Sequence, residues 1–259
     1  MPITHEARSS YVTGVMPIVV RTIYELWTKG ISLEHATVRH TPLYRLTSLW
    51  KGTNETHSPN QADADAQRWF SLLEPLEDIL HCCPTSQHAI EASPLVLTLF
   101  QPVITPKIDR DVSEWPDHRV RPFGCFTYYL RDDDRRIELH FANPFSPQSP
   151  FADVDARRSE LASLINHAMK QAADVEYVSC ESWLNEHAEF QRLFPPSWNA
   201  SGSKPRPLTD TSAWWGQFID RRGAFHRPNG EYAMRTGQFP YQCISCRIPV
   251  ARLIDHLTV

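Results

Sequence analysis

Apolar residues change their spacing along this chain, and that change limits the folds open to it more than any other feature. In the first third, Val20, Ile23, Tyr24 and Trp27 follow the i, i+3, i+4, i+7 spacing of one buried helix face, with Gly30 as a stop signal. Thr41-Pro42 reads as an N-cap followed by proline at the first helical position, and Leu43, Leu46 and Trp50 form the next apolar face. The polar stretch from Asn54 to Asp65 is expected as a loop. Trp69, Leu72, Leu73, Leu76 and Leu80 then mark a third helix, which Pro75 would kink or shorten.

From Pro94 onward the pattern turns strand-like. PLVLTLFQPVI (94–104) is a dense apolar run with few helix formers. CFTYYL and RIELHFA flank Arg131-Asp132-Asp133-Asp134, so residues 123–142 read as an antiparallel hairpin. After the proline-rich bend NPFSPQSPF, Asp153 can cap a long helix with Leu161, Leu164, Ile165, Ala168 and Ala172 on its buried stripe. Val175–Cys180 reads as a strand, Asn185–Phe194 as a short helix ended by Pro195-Pro196, and SGSKPRP (201–207) as a loop. WWGQFI and FPYQCISCRIPV read as strands, and Pro249 opens a last short helix. The expected class is α+β: N-terminal helices packed on a mixed, largely antiparallel sheet. The expected division is a helical region over 1–90 and an α+β domain over 91–259, or one continuous domain of both.

A chain of 259 residues can bury a core of its own without disulfides or metal staples. Thirty acidic residues against 26 basic ones give the wrong sign for a general nucleic-acid binder. From Ala200 to Val259 eight basic residues stand against four acidic ones, an asymmetry that can focus a small, anionic partner onto that part or be no more than scattered, solvated arginines. The start of the chain lacks the basic opening and apolar run of a secretory signal, and six cysteines in that setting point to free thiols and the cytoplasm. The longest strongly apolar stretch, Pro94–Phe100, is far short of a membrane span. No GxxxxGK[ST], GxGxxG, GxSxG or HExxH occurs, which argues against a kinase of the P-loop type, a Rossmann dehydrogenase, an α/β-hydrolase and a thermolysin-like protease. Oligomeric state is not legible.

Four constellations are candidates for chemistry. In Ile137-Glu138-Leu139-His140-Phe141 the alternation puts Glu138 and His140 on one strand face, where a carboxylate beside an imidazole makes a general acid/base pair. The bland alternative is a solvated face of an antiparallel sheet. Trp214-Trp215-Gly216-Gln217-Phe218-Ile219-Asp220-Arg221-Arg222-Gly223 reads as a strand entering a turn. Trp215 and Gln217 on one face, with Arg221 and Arg222 beyond, can wall a pocket for an anionic, partly apolar ligand. The acidic run Asp109, Asp111, Glu114, Asp117 and His118 can hold a hard cation, or can be a polar loop. Cys243 and Cys246 form a CxxC in a strand-like run, where core cysteines are the better reading than redox or zinc chemistry. No bound metal is expected.

The stretch YVSCESWLNEHAEFQRLFPPSWN, from Tyr177 to Asn199, together with IELHFA and the helix between them, resembles the C-terminal domain of a bacterial group of GNAT-like acyltransferases. The matching pieces are Ile137–Phe141, Cys180, Ser182-Trp183-Leu184 and Phe194-Pro195-Pro196. The departures are Ser197-Trp198-Asn199, where the family has Ser-Asn-Ile, and the lack of a Q/R-x-x-G-x-G/A segment for the coenzyme A diphosphate. The resemblance implies a GNAT-like C-terminal half and transfer of an acyl group to an amine or hydroxyl, from an acyl-CoA or acyl-carrier thioester. His140 or Glu138 would then take the acceptor's proton. Ser182 would shape the substrate pocket or cap a helix, Trp183 would line that pocket, and Arg221 and Arg222 would hold donor or substrate anions. Two other classes compete: a non-catalytic ligand- or partner-binding protein, and a metal-dependent enzyme built on the Asp109–His118 run.

Overall fold

The computed structural model describes residues 3–51, 63–114, 122–203 and 212–258. Its strands, and its helices of eight residues or more, are α1 (His5–Trp27), α2 (Ala64–His81), α3 (Ser93–Ser113), β1 (Phe126–Arg131), β2 (Arg136–Phe141), α4 (Val154–Gln171), β3 (Tyr177–Ser182), α5 (Arg227–Thr236), β4 (Ile244–Pro249) and α6 (Val250–Leu257). The chain is of mixed α+β class. It divides into two compact units: Pro2–Trp115 with Leu208–Pro240, and Pro116–Pro207 with Tyr241–Val259. The helical part therefore continues past residue 90 and regains the chain after residue 208. Among the described residues no helix is long and apolar enough to cross a membrane.

In the helical unit, the Thr4 hydroxyl accepts from the Ala7 N–H at 3.1 Å and starts α1, and Gly30 ends its last turn at φ 89°. The α1 face buries Tyr11, Val15, Val19 and Ile23. Helix α2 runs unbroken through Pro75, burying Trp69, Leu76 and Leu80. Of the expected loop before it, residues 54–62 lie outside the described residues, and Ala64 and Asp65 already belong to α2. The helix expected after Thr41-Pro42 is a single 3-10 turn, Tyr44–Leu46. It stops because Thr47 folds back onto the Tyr44 carbonyl (Oγ1 at 2.7 Å) and the Ser48 N–H bonds to the Val103 carbonyl at 2.7 Å.

Two runs expected as strands are helical. Residues 94–104 form the first half of α3, whose buried positions Val96, Phe100, Val103, Ile104, Lys107 and Ile108 recur at helical spacing. Pro94 sits in the first turn, where a missing N–H costs nothing, and Leu95 is 62% exposed, so the run is less continuous in space than in sequence. Trp214–Phe218 spans a helical turn, Ser212–Trp215, and a 3-10 turn, Gly216–Phe218. Trp214, Trp215 and Phe218 all contact the Phe239 ring, with centroids 4.7–4.9 Å apart, and do not alternate between faces. One aromatic partner, far away in sequence, selects the tighter backbone.

The second unit carries one four-stranded sheet in the order β1-β2-β3-β4. The hairpin is present as expected: β1 and β2 pair antiparallel from Phe126↔Phe141 to Arg131↔Arg136, joined by Asp132–Asp134 and by Arg135 at φ 49°. Helix α4 carries the chain across so that β3 lies parallel to β2, and β4 closes antiparallel on β3. One sheet face (Phe126, Ile137, Leu139, Val178, Cys180, Cys246, Ile248) packs on Leu161, Leu164, Ile165 and Ala168 of α4 and on Val250 and Leu253 of α6. The Asp153 carboxylate caps α4 as expected, accepting from the Ala156 N–H at 2.9 Å, and Pro249 precedes α6. The short helix expected over Asn185–Phe194 is split into a 3-10 turn, Trp183–Glu186, and the single turn Ala188–Gln191.

Glu160 ties α4 to the start of β1: its carboxylate accepts from the Cys125 N–H at 3.0 Å and is held by Arg157 at 2.5 Å. Gly124 lies beneath that carboxylate at φ 55°, and a Cβ there would overlap it. Gly124→Ala should therefore destabilise the protein by about 2 kcal/mol or more, read as a lower urea midpoint at unchanged m-value.

Candidate functional site

Parallel strands place their carboxyl ends side by side, and in open sheets of this kind ligands bind beyond those ends. Here the parallel ladder is short. β2 and β3 pair only at Arg136↔Tyr177, Ile137↔Val178 and Glu138↔Ser179, whereas each antiparallel ladder holds six pairs. Leu139–Phe141 and Cys180–Ser182 therefore part from one another. Asn185 holds the neighbouring ends of β3 and β4 together. Its Nδ2 donates to the Cys180 and Ile244 carbonyls at 2.9 and 2.7 Å, and its Oδ1 accepts from Trp198 Nε1 at 3.0 Å. Phe190 packs edge-on to Phe141, with centroids 5.4 Å apart. Half-buried rings gather at the outer rim: Phe151 stacks on His187 (5.7 Å), and Trp183 lies against Tyr241 (5.4 Å). The Ser182 Oγ accepts from the Leu184 N–H at 3.1 Å, so its work is to cap the turn that carries Trp183.

Glu138 and His140 lie together on the polar sheet face, as the alternation requires. His140 Nε2 is 3.7 Å from Glu138 Oε1, and its ring meets Tyr129 edge-on at 5.0 Å. The other Glu138 oxygen accepts from Arg131 Nε at 2.7 Å and lies 3.6 Å from Arg136. Burial opposes ionisation of Glu138, but the Arg131 hydrogen bond and the charges of Arg131, His140 and Arg136 together hold its pKa below the usual carboxylate value. Burial lowers the His140 pKa. Arg131 adds to that, and Glu138 only partly offsets it. The pair is an ionised carboxylate beside an imidazole that is neutral at pH 7. That is the protonation state a general base needs.

The remaining expected site residues lie in the helical unit. Trp215 and Gln217 are buried, at 3% and 1% exposure. Trp215 Nε1 donates to the His40 carbonyl at 3.2 Å and Gln217 Nε2 to the Trp214 carbonyl at 2.9 Å, so both are core groups and not pocket walls. Arg221 and Arg222 are exposed in a turn organised by Asp220, whose Oδ1 accepts from the Arg222 and Ala224 N–H groups at 2.7 and 2.9 Å.

The acidic run is the end of a helix and not a loop. Asp109 meets His5 at 3.4 Å, and Asp111 is held by Arg8 at 2.7 Å and by Lys107. Asp117 and His118 lie outside the described residues. Among the described residues no three His, Cys, Asp or Glu side chains are gathered to hold a metal. Cys243 and Cys246 are buried thiols and not a disulfide, and Cys246 is the register partner of Cys180. Burial pushes the Cys246 thiol up to about 11, which suits a core residue.

A coenzyme A donor needs backbone N–H groups or cations for its diphosphate, and the N-terminus of the crossover helix is where such groups usually stand. At α4 two of the first-turn N–H groups, those of Ala156 and Arg157, are taken by Asp153. The Asp153 carboxylate takes the Ala156 N–H, Asp155 adds a second negative charge in the first turn, and residues 142–157 contain no glycine. The residues present do not fit a diphosphate there.

Arg131 and Asn185, which hold this site, escaped sequence reading. Arg131 becomes visible once the hairpin register is known, because it sits opposite Arg136 and diagonal to Glu138. Two measurements test the electrostatics and the Asn185 contacts. The NMR titration midpoint of His140 should lie below the ordinary value of 6.5, and in Glu138→Gln it should fall further, because the group that favours the imidazolium is removed. Asn185→Ala should cost about 2–4 kcal/mol in denaturant unfolding, since it strands a buried indole N–H and two carbonyls. No protein-family model matches the chain, and neither a curated protein nor a solved structure is significantly similar to it.

Proposed function

We propose that this chain is a small-molecule acyltransferase that moves an acyl group from a thioester to an amine or hydroxyl acceptor. One observation carries the reading. The neutral His140 and ionised Glu138, fixed by Arg131, sit on β2 at the point where its parallel ladder with β3 ends. β2, the crossover helix, and β3 with the turns that follow it are also where the resemblance to GNAT-like acyltransferases lies.

In this mechanism the acceptor N–H or O–H gives its proton to the His140 imidazole as its lone pair attacks the thioester carbonyl. The imidazolium is stabilised by Glu138, 3.7 Å away. Arg131 keeps that carboxylate ionised and aimed, so Arg131 is a positioning residue. The C–S bond breaks as the intermediate collapses, and the thiol leaves with a proton.

His140→Ala should lower kcat by about 100-fold or more, within the range for loss of a general base, with a melting temperature within about 1 °C of the parent. The acid limb of kcat/KM should lie below pH 6.5 and move further down in Glu138→Gln, following the His140 midpoint. Unchanged turnover in His140→Ala would instead identify a non-catalytic role for this face.

A further inference from the structure

We propose that the acyl donor is a thioester of a thiol carrying no nucleotide. This inference rests on the acyl-transfer reading above and narrows its donor. It starts from the segment joining β2 to α4, which any donor lying along the parted strands must pass. A nucleotide diphosphate brings two phosphates that need N–H donors or guanidinium groups. Residues 142–157 have already committed much of what they hold. Pro144, Pro147 and Pro150 have no N–H. The Phe145 N–H is taken by Asn143 Oδ1 at 3.0 Å, and that of Gln148 by the Phe145 carbonyl at 2.9 Å. Those of Phe151 and Ala152 go to Ser149, at 3.3 and 3.2 Å. Asp153 takes the Ala156 N–H through its side chain and the Arg157 N–H through its carbonyl, at 2.9 and 3.3 Å.

Among the described residues, the cations nearest this segment also have partners within the fold. The Arg157 side chain is only 8% exposed; it grips both Glu160 oxygens and donates to the Pro150 carbonyl at 3.1 Å. Arg158 donates to the Arg192 carbonyl at 2.9 Å and faces Asp155 at 3.9 Å. On the polar sheet face, Arg131 is bound to Glu138, and Arg136 and Arg247 share Asp134 at 3.0 and 3.5 Å. A diphosphate would have to break these pairs and sit beside Asp153 and Asp155. A thiol without a nucleotide meets no such demand.

The test compares the thioesters of coenzyme A, pantetheine and N-acetylcysteamine, each with the same acyl group, against a panel of primary amines and alcohols. Thiol release is the readout, and binding of free coenzyme A to the untagged full chain is measured by calorimetry. The expected result is kcat/KM values within about tenfold across the three donors, with no heat of coenzyme A binding at about 1 mM. A preference for the coenzyme A ester of about 100-fold or more, or saturable coenzyme A binding, overturns this inference and leaves acyl transfer standing. Release from none of the three thioesters overturns the acyl-transfer reading itself.

Discussion

Backbone groups that leave a ladder in a buried place must find new partners, and the sheet unit depends on how this is met at the ends of β3 and β4. Asn185 answers with one side chain, bonding carbonyls on two different strands and accepting from the Trp198 indole. Trp198 in turn stacks on Phe194 at 4.0 Å, and Phe194 meets Phe190, so those strand ends are closed by a column of rings under one amide. That closure puts Trp183 and His187 at the rim.

On the polar face, the proposed chemistry rests on an imbalance of charge. Glu138 has two arginines and one histidine within reach, so it stays ionised despite partial burial. His140 receives only part of that carboxylate's field and loses more by burial, so it stays neutral. An imidazole with a full carboxylate to itself would be raised and charged, and could not accept a proton. Arg131, although it touches no acceptor in the proposed reaction, sets the state of both groups.

The same competition for donors shapes the crossover. Three prolines and a ring of local turns leave β2, and the carboxylate that starts α4 occupies the position an anion would take elsewhere. Capping a helix and binding a phosphate draw on the same orphan N–H groups, and here the Asp153 cap takes one of them and, with Asp155, sets negative charge beside the rest.

Much was legible in the sequence where the physics is local. The hairpin follows from two-residue alternation on both sides of a polar turn, and with it the shared face of Glu138 and His140. Thr4, Gly30 and Asp153 bound their helices by short-range hydrogen bonds or backbone freedom. Distant partners decided the rest. Residues 94–104 became a helix because their apolar face meets a helical layer, and an unbroken apolar run carries no period to say so. The tryptophans at 214 and 215 coil around Phe239, and Trp215 and Gln217 thereby leave the candidate pocket for the core. The roles of Arg131 and Asn185 required strand register and the ends of two antiparallel strands, β3 and β4, brought together. Those are properties of the packed sheet, because no interaction between neighbours in sequence specifies them.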